Sequence, residues 1–376
     1  MSTLYLTHSA CLDHDTGSGH PERPDRLRAV ERALEDEKFQ PLIREQAQMA
    51  DGEIIALCHP QDYIDAIRNA SPEQGMVRLD ADTVMSPGSL EAALRAVEQA
   101  LENEKFQPLI REQAQMAEGE IIALCHPMDY IDAIRNASPE QGMVRLDADT
   151  VMSPGSLEAV LRAVGGGAQA VDAVMTGAVA NAFVGVRPPG HHAETARPMG
   201  FCFFNSAAIA ARYAQKKHGA ERVALVDFDV HHGNGSQDIF WDDATVMYCS
   251  THEMPLYPGT GATGERGLHN TIVNAPLSAG DGGDAFREAF ETAILPRLNN
   301  FKPDLIVISA GFDAHTRDPL ANLNLVEADY AWVTQKLMDM ADKSCDGRIV
   351  SMLEGGYDLQ GLARSVDAHV TALMRG

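Results

Sequence analysis

The segment Val223–Gly235, VALVDFDVHHGNG, constrains the fold of this chain more than any other stretch. Its apolar opening, Val-Ala-Leu-Val, reads as a strand covered on both faces, the habit of parallel sheets whose crossover helices lie on either side. Asp227, Asp229 and His231 then follow at alternate positions, and alternate side chains of a strand share a face. Two carboxylates and an imidazole buried together are costly unless something pairs with them. A divalent metal is the partner this donor set suits.

The rest of the chain has the same alternation. Apolar runs NAFVGV, RVALVDFD, TVMYCS, NTIVNAPL, DLIVISAG and RIVSMLEGG are interleaved with helical patterns. The helical patterns are FNSAAIAARYAQKKHG, DAFREAFETAILPRLNNF, EADYAWVTQKLMDMADKS and a closing helix. Gly219 and Gly347 follow helical runs as stop signals. The expected fold is α/β: a single domain over 1–376 with a mainly parallel central sheet flanked by helices.

One feature does not belong to such a domain. Leu27–Ala93 recurs as Leu94–Val160, an offset of 67 residues with five differences: Arg32/Gln99, Asp36/Asn103, Asp51/Glu118, Gln61/Met128 and Ala93/Val160. Near-identity marks a recent tandem duplication rather than a solenoid of diverged units. Each copy reads as a helix, a strand-like FQPLIRE, a second helix (HPQDYIDAIRNA or HPMDYIDAIRNA), the turn DADTVMSPGS and the start of a third helix. SLEAALRAVEQALENEKF at the joint is expected to be one continuous helix over 89–106. A single fold has room for one copy, so the surplus copy packs outside, swaps with a partner chain to give an oligomer, or stays loosely ordered. The catalytic core motifs lie in 161–376.

Composition narrows the partners. Fifty-four acids against thirty bases give a formal charge of −24, which disfavours nucleic acid as a partner. No stretch approaches the ~20 apolar residues of a membrane helix. The amino-terminal residues lack the basic and apolar regions of a signal peptide. Cys11, Cys58, Cys125, Cys202, Cys249 and Cys345 are scattered without a CxxC, which fits reduced thiols and a cytoplasmic location.

Ligands in parallel α/β sheets bind at the carboxyl ends of strands. Four strands here end in polar clusters: RPPGHHAE, DFDVHHGNG, GFDAHTRDP and LEGGYD. Asp229, His231 and Asp313 make a three-ligand metal site with room for water and substrate. Zn²⁺ suits this mixed N/O set, with Fe²⁺ or Co²⁺ as alternatives. His191 and His192, on a rigid loop, are candidates for general base and then acid, with Asp227 and Asn234 as partners fixing their tautomers. Tyr357, beside two glycines, is placed to donate a hydrogen bond to a developing oxyanion. No GxSxG, P-loop or dinucleotide glycine fingerprint is present.

These motifs, with GFCFFN and in this order, resemble the class II histone deacetylase family, including its bacterial amidohydrolase members, within the arginase–deacetylase superfamily. The resemblance covers the chain apart from the extra repeat copy. It implies a Zn²⁺-dependent deacetylase acting on acyl-lysine amides, with Asp229, His231 and Asp313 as ligands. It makes His192 the main general base and acid and His191 its electrostatic partner. Asp227 then orients His191, Asn234 pairs with His192, and Tyr357 polarises the scissile carbonyl. Phe201 and Tyr257 are implied as opposite walls of a substrate tunnel, and the Gly200 carbonyl as an acceptor for the substrate amide N–H.

The resemblance also implies structural K⁺ sites, one at Asp227, Asp229, His231, Ser250 and Thr251 and a second at Phe240, Asp243 and Val246. A rim aspartate matches the DADT motif, which occurs twice, at Asp82 and Asp149. Asp149 is the expected one, because its copy runs directly into the catalytic core. Arg26, which precedes the first copy, is expected to reach the base of the pocket. Leu320, after Asp318-Pro319, stands where polyamine-preferring relatives tend to carry an acid, and so favours acyl-lysine over acetylpolyamine. A catalytically impaired acyl-lysine binder is the contrasting reading, and arginase-type chemistry fits poorly, since a two-metal site wants more aspartates.

Overall fold

The computed structural model describes residues 3–7, 12, 21–34, 39, 77–78, 84–85 and 113–375. Seven strands form one sheet: β1 (Thr3–Leu6), β2 (Asn181–Val184), β3 (Val223–Asp227), β4 (Val246–Glu253), β5 (Ile272–Leu277), β6 (Leu305–Ala310) and β7 (Ile349–Leu353). Their order is β1-β2-β7-β6-β3-β4-β5, and every neighbouring pair is parallel. This is the α/β architecture that the alternating pattern predicts. The edge strand β1 was not among the expected strands. It is short and, among the described residues, pairs with β2 in the register Thr3↔Asn181, with Thr7 just beyond it bridging to Gln113.

The period of two along the strands divides the core between the sheet's faces. Val223 and Leu225 of β3 join one apolar cluster, Ala224 and Val226 the other. Helices α4 (Ser156–Met175) and α5 (Ser206–His218) line the first face; α9 (Glu327–Ser344) and α10 (Leu359–Arg375) line the second. Before them come α1 (Asp25–Ala33), α2 (Gly119–Ile122) and α3 (Met128–Asn136), and between them α6 (Asn234–Ile239), α7 (Gly283–Ala289) and α8 (Leu295–Phe301). The run expected as one helix over DAFREAFETAILPRLNNF is interrupted by a π-helical turn at Phe290–Ile294. Pro296 explains the break: it has no N–H to continue the α-helical ladder, and it sits at the start of α8.

Among the described residues, no helix is long and apolar enough to cross a membrane, and Cys125, Cys202, Cys249 and Cys345 are buried free thiols.

The two repeat copies contribute differently. The first supplies α1 and the buried Phe39, and the second supplies residues 113–160, including α3 and the start of α4. Each copy carries the same two-residue antiparallel ladder, Val77–Arg78 with Val84–Met85 and Val144–Arg145 with Val151–Met152. The continuous helix expected over 89–106, the FQPLIRE strands beyond Phe39, and the first-copy helix HPQDYIDAIRNA lie outside the described residues.

Residues 114–117 of the second copy are pressed onto α4. Ala117 N donates to Leu161 O at 3.0 Å, and Arg162 Nη1 donates to Ala114 O at 3.1 Å. The contact needs a helix without side chains at one spot: a Cβ on Gly165 would fall 1.6 Å from the Gln115 carbonyl oxygen. This accounts for Gly165 and Gly166 in the middle of a helix, where glycine is otherwise unfavourable, whereas a Cβ on Gly167 would meet Met352 and Ala210.

Helix propensity alone predicts that Gly165→Ala stabilises the chain by about 1 kcal/mol. The clash with backbone outweighs this, and a net loss of about 1–3 kcal/mol is expected in urea unfolding. Alanine at Gly264, where a Cβ meets nothing within 4 Å, serves as the control and should change little. Deleting Leu27–Ala93 joins Arg26 to a second LRAV and leaves 309 residues. This shorter chain is expected to melt cooperatively at or above the temperature of the full chain; loss of cooperative melting would make the first copy integral to the fold.

Candidate metal centre and active-site cleft

The four strands that end in polar clusters are β2, β7, β6 and β3, which are contiguous in the sheet. Because all are parallel, their carboxyl ends meet at one edge. β3 stops at Asp227, whose ladder partners are Ser309 and Ser250. Asp229 and His231 therefore lie beyond the strand, and strand alternation is not what brings them together. Carboxylates capturing backbone amides do so instead: Asp229 N donates to Asp227 Oδ1 at 3.1 Å, His231 N to Asp229 Oδ1 at 2.9 Å, and Val230 N to Asp313 Oδ1 at 2.9 Å.

The ligand atoms of Asp229, His231 and Asp313 all lie within 4.8 Å of one another, and all three residues are buried. His231 Nδ1 is 3.2 Å from Asp229 Oδ1 and 3.1 Å from Asp313 Oδ2. Burial and the neighbouring Asp229 push the Asp313 carboxyl up to about 7. Burial also tends to raise Asp229, but His191 and His231 hold it well below the usual carboxylate range. Against burial, bonds to Asp229 and Asp313 push His231 up to about 10. Two buried carboxylates crowded about one imidazole carry more negative charge than that ring can neutralise, and they fit a divalent cation. The backbone closes in to hold them: a Cβ on Gly355 would lie 2.1 Å from Asp313 Oδ2, and Gly355 N donates to Asp229 Oδ2 at 2.8 Å.

The two histidines lie with ring centroids 4.0 Å apart, tilted 43° to each other, yet have opposite electrostatics. His191 Nδ1 is 3.0 Å from Asp227 Oδ2, and Tyr248 Oη donates to the same oxygen at 3.1 Å. Burial would lower His191, but the carboxylates of Asp227, Asp229 and Glu354 hold its pKa well above the ordinary value. His192 Nδ1 is 2.9 Å from the Asn234 amide oxygen. Burial, with His191 and His231 nearby, holds His192 well below the ordinary value and keeps it neutral.

A cavity of about 190 Å³ opens onto this centre, lined by Asp149, His192, Gly200, Phe201, His231, Tyr257, Leu320 and Tyr357. Tyr257 stands edge-on to His192, and Phe201 edge-on to Tyr357. Phe201 has φ 68°, an uncommon conformation for a bulky residue. Its turn is held from the second repeat copy, with Gly200 N donating to Asp149 Oδ1 at 3.0 Å and Phe201 N to Thr150 Oγ1 at 3.2 Å. The Gly200 carbonyl accepts from Cys202 Sγ at 3.2 Å. Asp82 lies outside the described residues.

Arg26 is not among the lining residues. It is fully buried behind Tyr357, with its guanidinium 4.8 Å from the ring centroid and bonded to the carbonyls of Glu354 and Gly356. Glu22 pairs with both Arg26 and Arg187. Burial keeps the Tyr357 phenol protonated, its pKa well above the usual value, against the pull of Arg26.

Of the residues implied for K⁺, Ser250 and Thr251 lie on β4 beside Asp227. Ser250 Oγ is 2.8 Å from His252 Nδ1, and Thr251 Oγ1 is buried without a hydrogen-bond partner. In the second set, Phe240 and Val246 are buried, and the Asp243 carboxylate binds Thr245 and Val246 amides and pairs with Arg212. Thr271 Oγ1 donates to the Asp243 carbonyl at 2.7 Å.

Sequence reasoning assigned no role to Glu354, Asp318, Thr150 or Tyr248. Glu354 is buried, accepts from the amides of Gly190 and His191 and from Ser309 Oγ, and is pushed up to about 7 by burial. Asp318 accepts from the amides of Tyr357 and Leu320, at 2.7 and 3.0 Å, and so ties two cavity walls together. The acid in LEGGYD, at the end of an apolar strand, was the available signal for Glu354; the others depend on contacts far apart in the chain.

The profile of the histone deacetylase domain matches residues 20–105 and again 98–373, starting over inside the second repeat copy. A probable deacetylase of Archaeoglobus fulgidus is 40% identical over 254 residues, covering 67% of this chain and 70% of that protein. The histone deacetylase-like amidohydrolase of Pseudomonas aeruginosa is 39% identical over 245 residues, 64% of each. The crystal structure of the HDA15 HD domain superposes with a TM-score of 0.76 at 31% identity, covering 100% of this chain and 88% of that one.

Relief of the crowded carboxylates is measurable. Zn²⁺ added to metal-stripped protein at about a thousandfold excess over its Kd is expected to stabilise the fold by about 4 kcal/mol. The same addition to Asp229→Asn/Asp313→Asn should leave Tm unchanged.

Proposed function

This chain belongs to the histone deacetylase domain family, and from that membership we propose that it is a zinc-dependent deacetylase hydrolysing the N-acyl amide of acyl-lysine side chains. The observation that carries the reading is the meeting, in one cavity, of a neutral His192, a protonated Tyr357 and the Asp229–His231–Asp313 donor set. Bound to those donors, Zn²⁺, or Fe²⁺ or Co²⁺ in its place, supplies positive charge that activates water and polarises the acyl carbonyl.

The chain's own groups carry the protons. His192 takes a proton from the attacking water as the new C–O bond forms. Tyr357 donates a hydrogen bond to the carbonyl oxygen as it becomes an oxyanion. His192 then returns the proton to the amide nitrogen as the C–N bond breaks, leaving a carboxylic acid and a free amine, and the acid's proton passes to the amine to give carboxylate and ammonium. His191, held protonated by its carboxylate neighbours, contributes positive charge beside the water. Asp227 orients His191, and its surroundings at Asp229, His231, Ser250 and Thr251 would hold a structural K⁺.

The substrate reading rests on the walls. Phe201, Tyr257 and Leu320 give the cavity lining apolar surface suited to the alkyl chain of a lysine, and Asp149 adds a carboxylate to the same lining. Leu320 offers no charge to a second ammonium, which favours an acyl-lysine peptide over an acetylpolyamine. Comparing kcat/KM for an acetyl-lysine peptide and acetylspermidine separates the two.

Tyr357→Phe is expected to lower kcat by about 10²–10³ while zinc content is retained. His192→Ala is expected to abolish turnover, as is chelation. Deacetylation of an acetyl-lysine peptide that survives both would overturn the reading.

A further inference from the structure

The two histidine dyads end differently. His191 Nδ1 meets a carboxylate directly, whereas His192 Nδ1 meets an amide oxygen, Asn234 Oδ1. The nitrogen of that amide donates to Glu194 Oε1 at 2.8 Å, and also points to Met199 Sδ and the His192 carbonyl at 3.3 and 3.4 Å. An amide whose nitrogen is committed to these acceptors turns its oxygen to His192. His192 Nδ1 then carries the hydrogen, and Nε2 is the nitrogen free to accept a proton.

The arrangement is held from several directions. Glu194 N donates to Arg197 O at 3.0 Å, and Thr195 donates from N and Oγ1 to Asp238 Oδ2. Asn234 opens α6, and the next residue allows it to come close: a Cβ on Gly235 would lie 2.2 Å from the Ala193 carbonyl oxygen. Glycine at 235 is therefore what lets Asn234 stand between His192 and Glu194.

We propose that Glu194 is a positioning residue of the reaction, acting through the Asn234 amide to select the Nδ1–H tautomer of His192 and to stabilise the imidazolium as it forms. The inference rests on the deacetylase reading above for its catalytic consequence, but not for the tautomer. The amide between them keeps any carboxylate off the His192 ring, while its polarised oxygen faces the ring when it becomes cationic.

The test uses the full chain loaded with zinc. Glu194→Gln keeps the shape and removes the charge; it is expected to lower kcat about tenfold, with KM, zinc content and Tm unchanged. In an Asn234→Asp background a carboxylate faces His192 directly and Glu194 becomes a like-charge neighbour. There the same Glu194→Gln change is expected to cost nothing or to raise kcat. An equal loss in both backgrounds, no loss in the wild type, or a loss that tracks zinc content or Tm would overturn the proposal. Independently of turnover, long-range ¹H–¹⁵N NMR should find His192 as the Nδ1–H tautomer in wild type and as a mixture in Glu194→Leu. An unchanged tautomer would overturn the proposal, whereas the expected tautomer change in a protein inactive on acyl-lysine would overturn only the deacetylase reading.

Discussion

The carboxyl edge of the sheet is organised by the repulsion between two buried carboxylates, Asp229 and Asp313, gathered around His231. Every nearby feature serves to hold that unfavourable charge. Amides of Val230, His231 and Gly355 donate to the two acids, and glycine at 355 removes the Cβ that would displace them. The same charge reaches outward, holding His191 protonated together with Asp227 and Glu354. A centre built this way suits a cation, with one nitrogen and two carboxylates that could hold it.

From that centre the two histidines acquire separate characters. They are adjacent in sequence and close in space, so burial alone would treat them alike. Their second nitrogens decide the difference: a charged carboxylate behind His191, a neutral amide behind His192. The cationic neighbour itself depresses His192 further. One loop thereby places two imidazoles with oppositely shifted pKa values side by side.

The duplication divides the supporting structure without entering the centre. Arg26, just before the first copy, backs Tyr357, while Asp149 and Thr150 of the second copy hold the Gly200-Phe201 turn at the opposite wall. The two supports of the cleft thus come from either side of the inserted length. The Gly165-Gly166 spot on α4 occurs once in the chain, and residues 114–117 of the second copy occupy it.

Much of this was legible from local pattern. Apolar runs alternating with helical periodicity implied a parallel α/β sheet, since only strands covered on both faces read as continuous Val, Ile and Leu. The motifs HH, DFDVHH, GFD and GGY located four strand ends and the donor residues at them. Their neighbourhood was decided by tertiary structure, because a crossover topology returns β6 and β7 between β2 and β3, an order no local signal encodes. The same holds for the convergence of Asp229 and His231, which arises from carboxylate–amide bonds beyond the strand end rather than from strand alternation. It holds also for Arg26, buried behind Tyr357 instead of lining the cleft, and for Glu354, Asp318 and Glu194. A side chain's chemistry is written in its identity, but its partner is set by long-range packing, and in this protein the partner decides whether a carboxylate meets the metal donors, a histidine or a backbone amide.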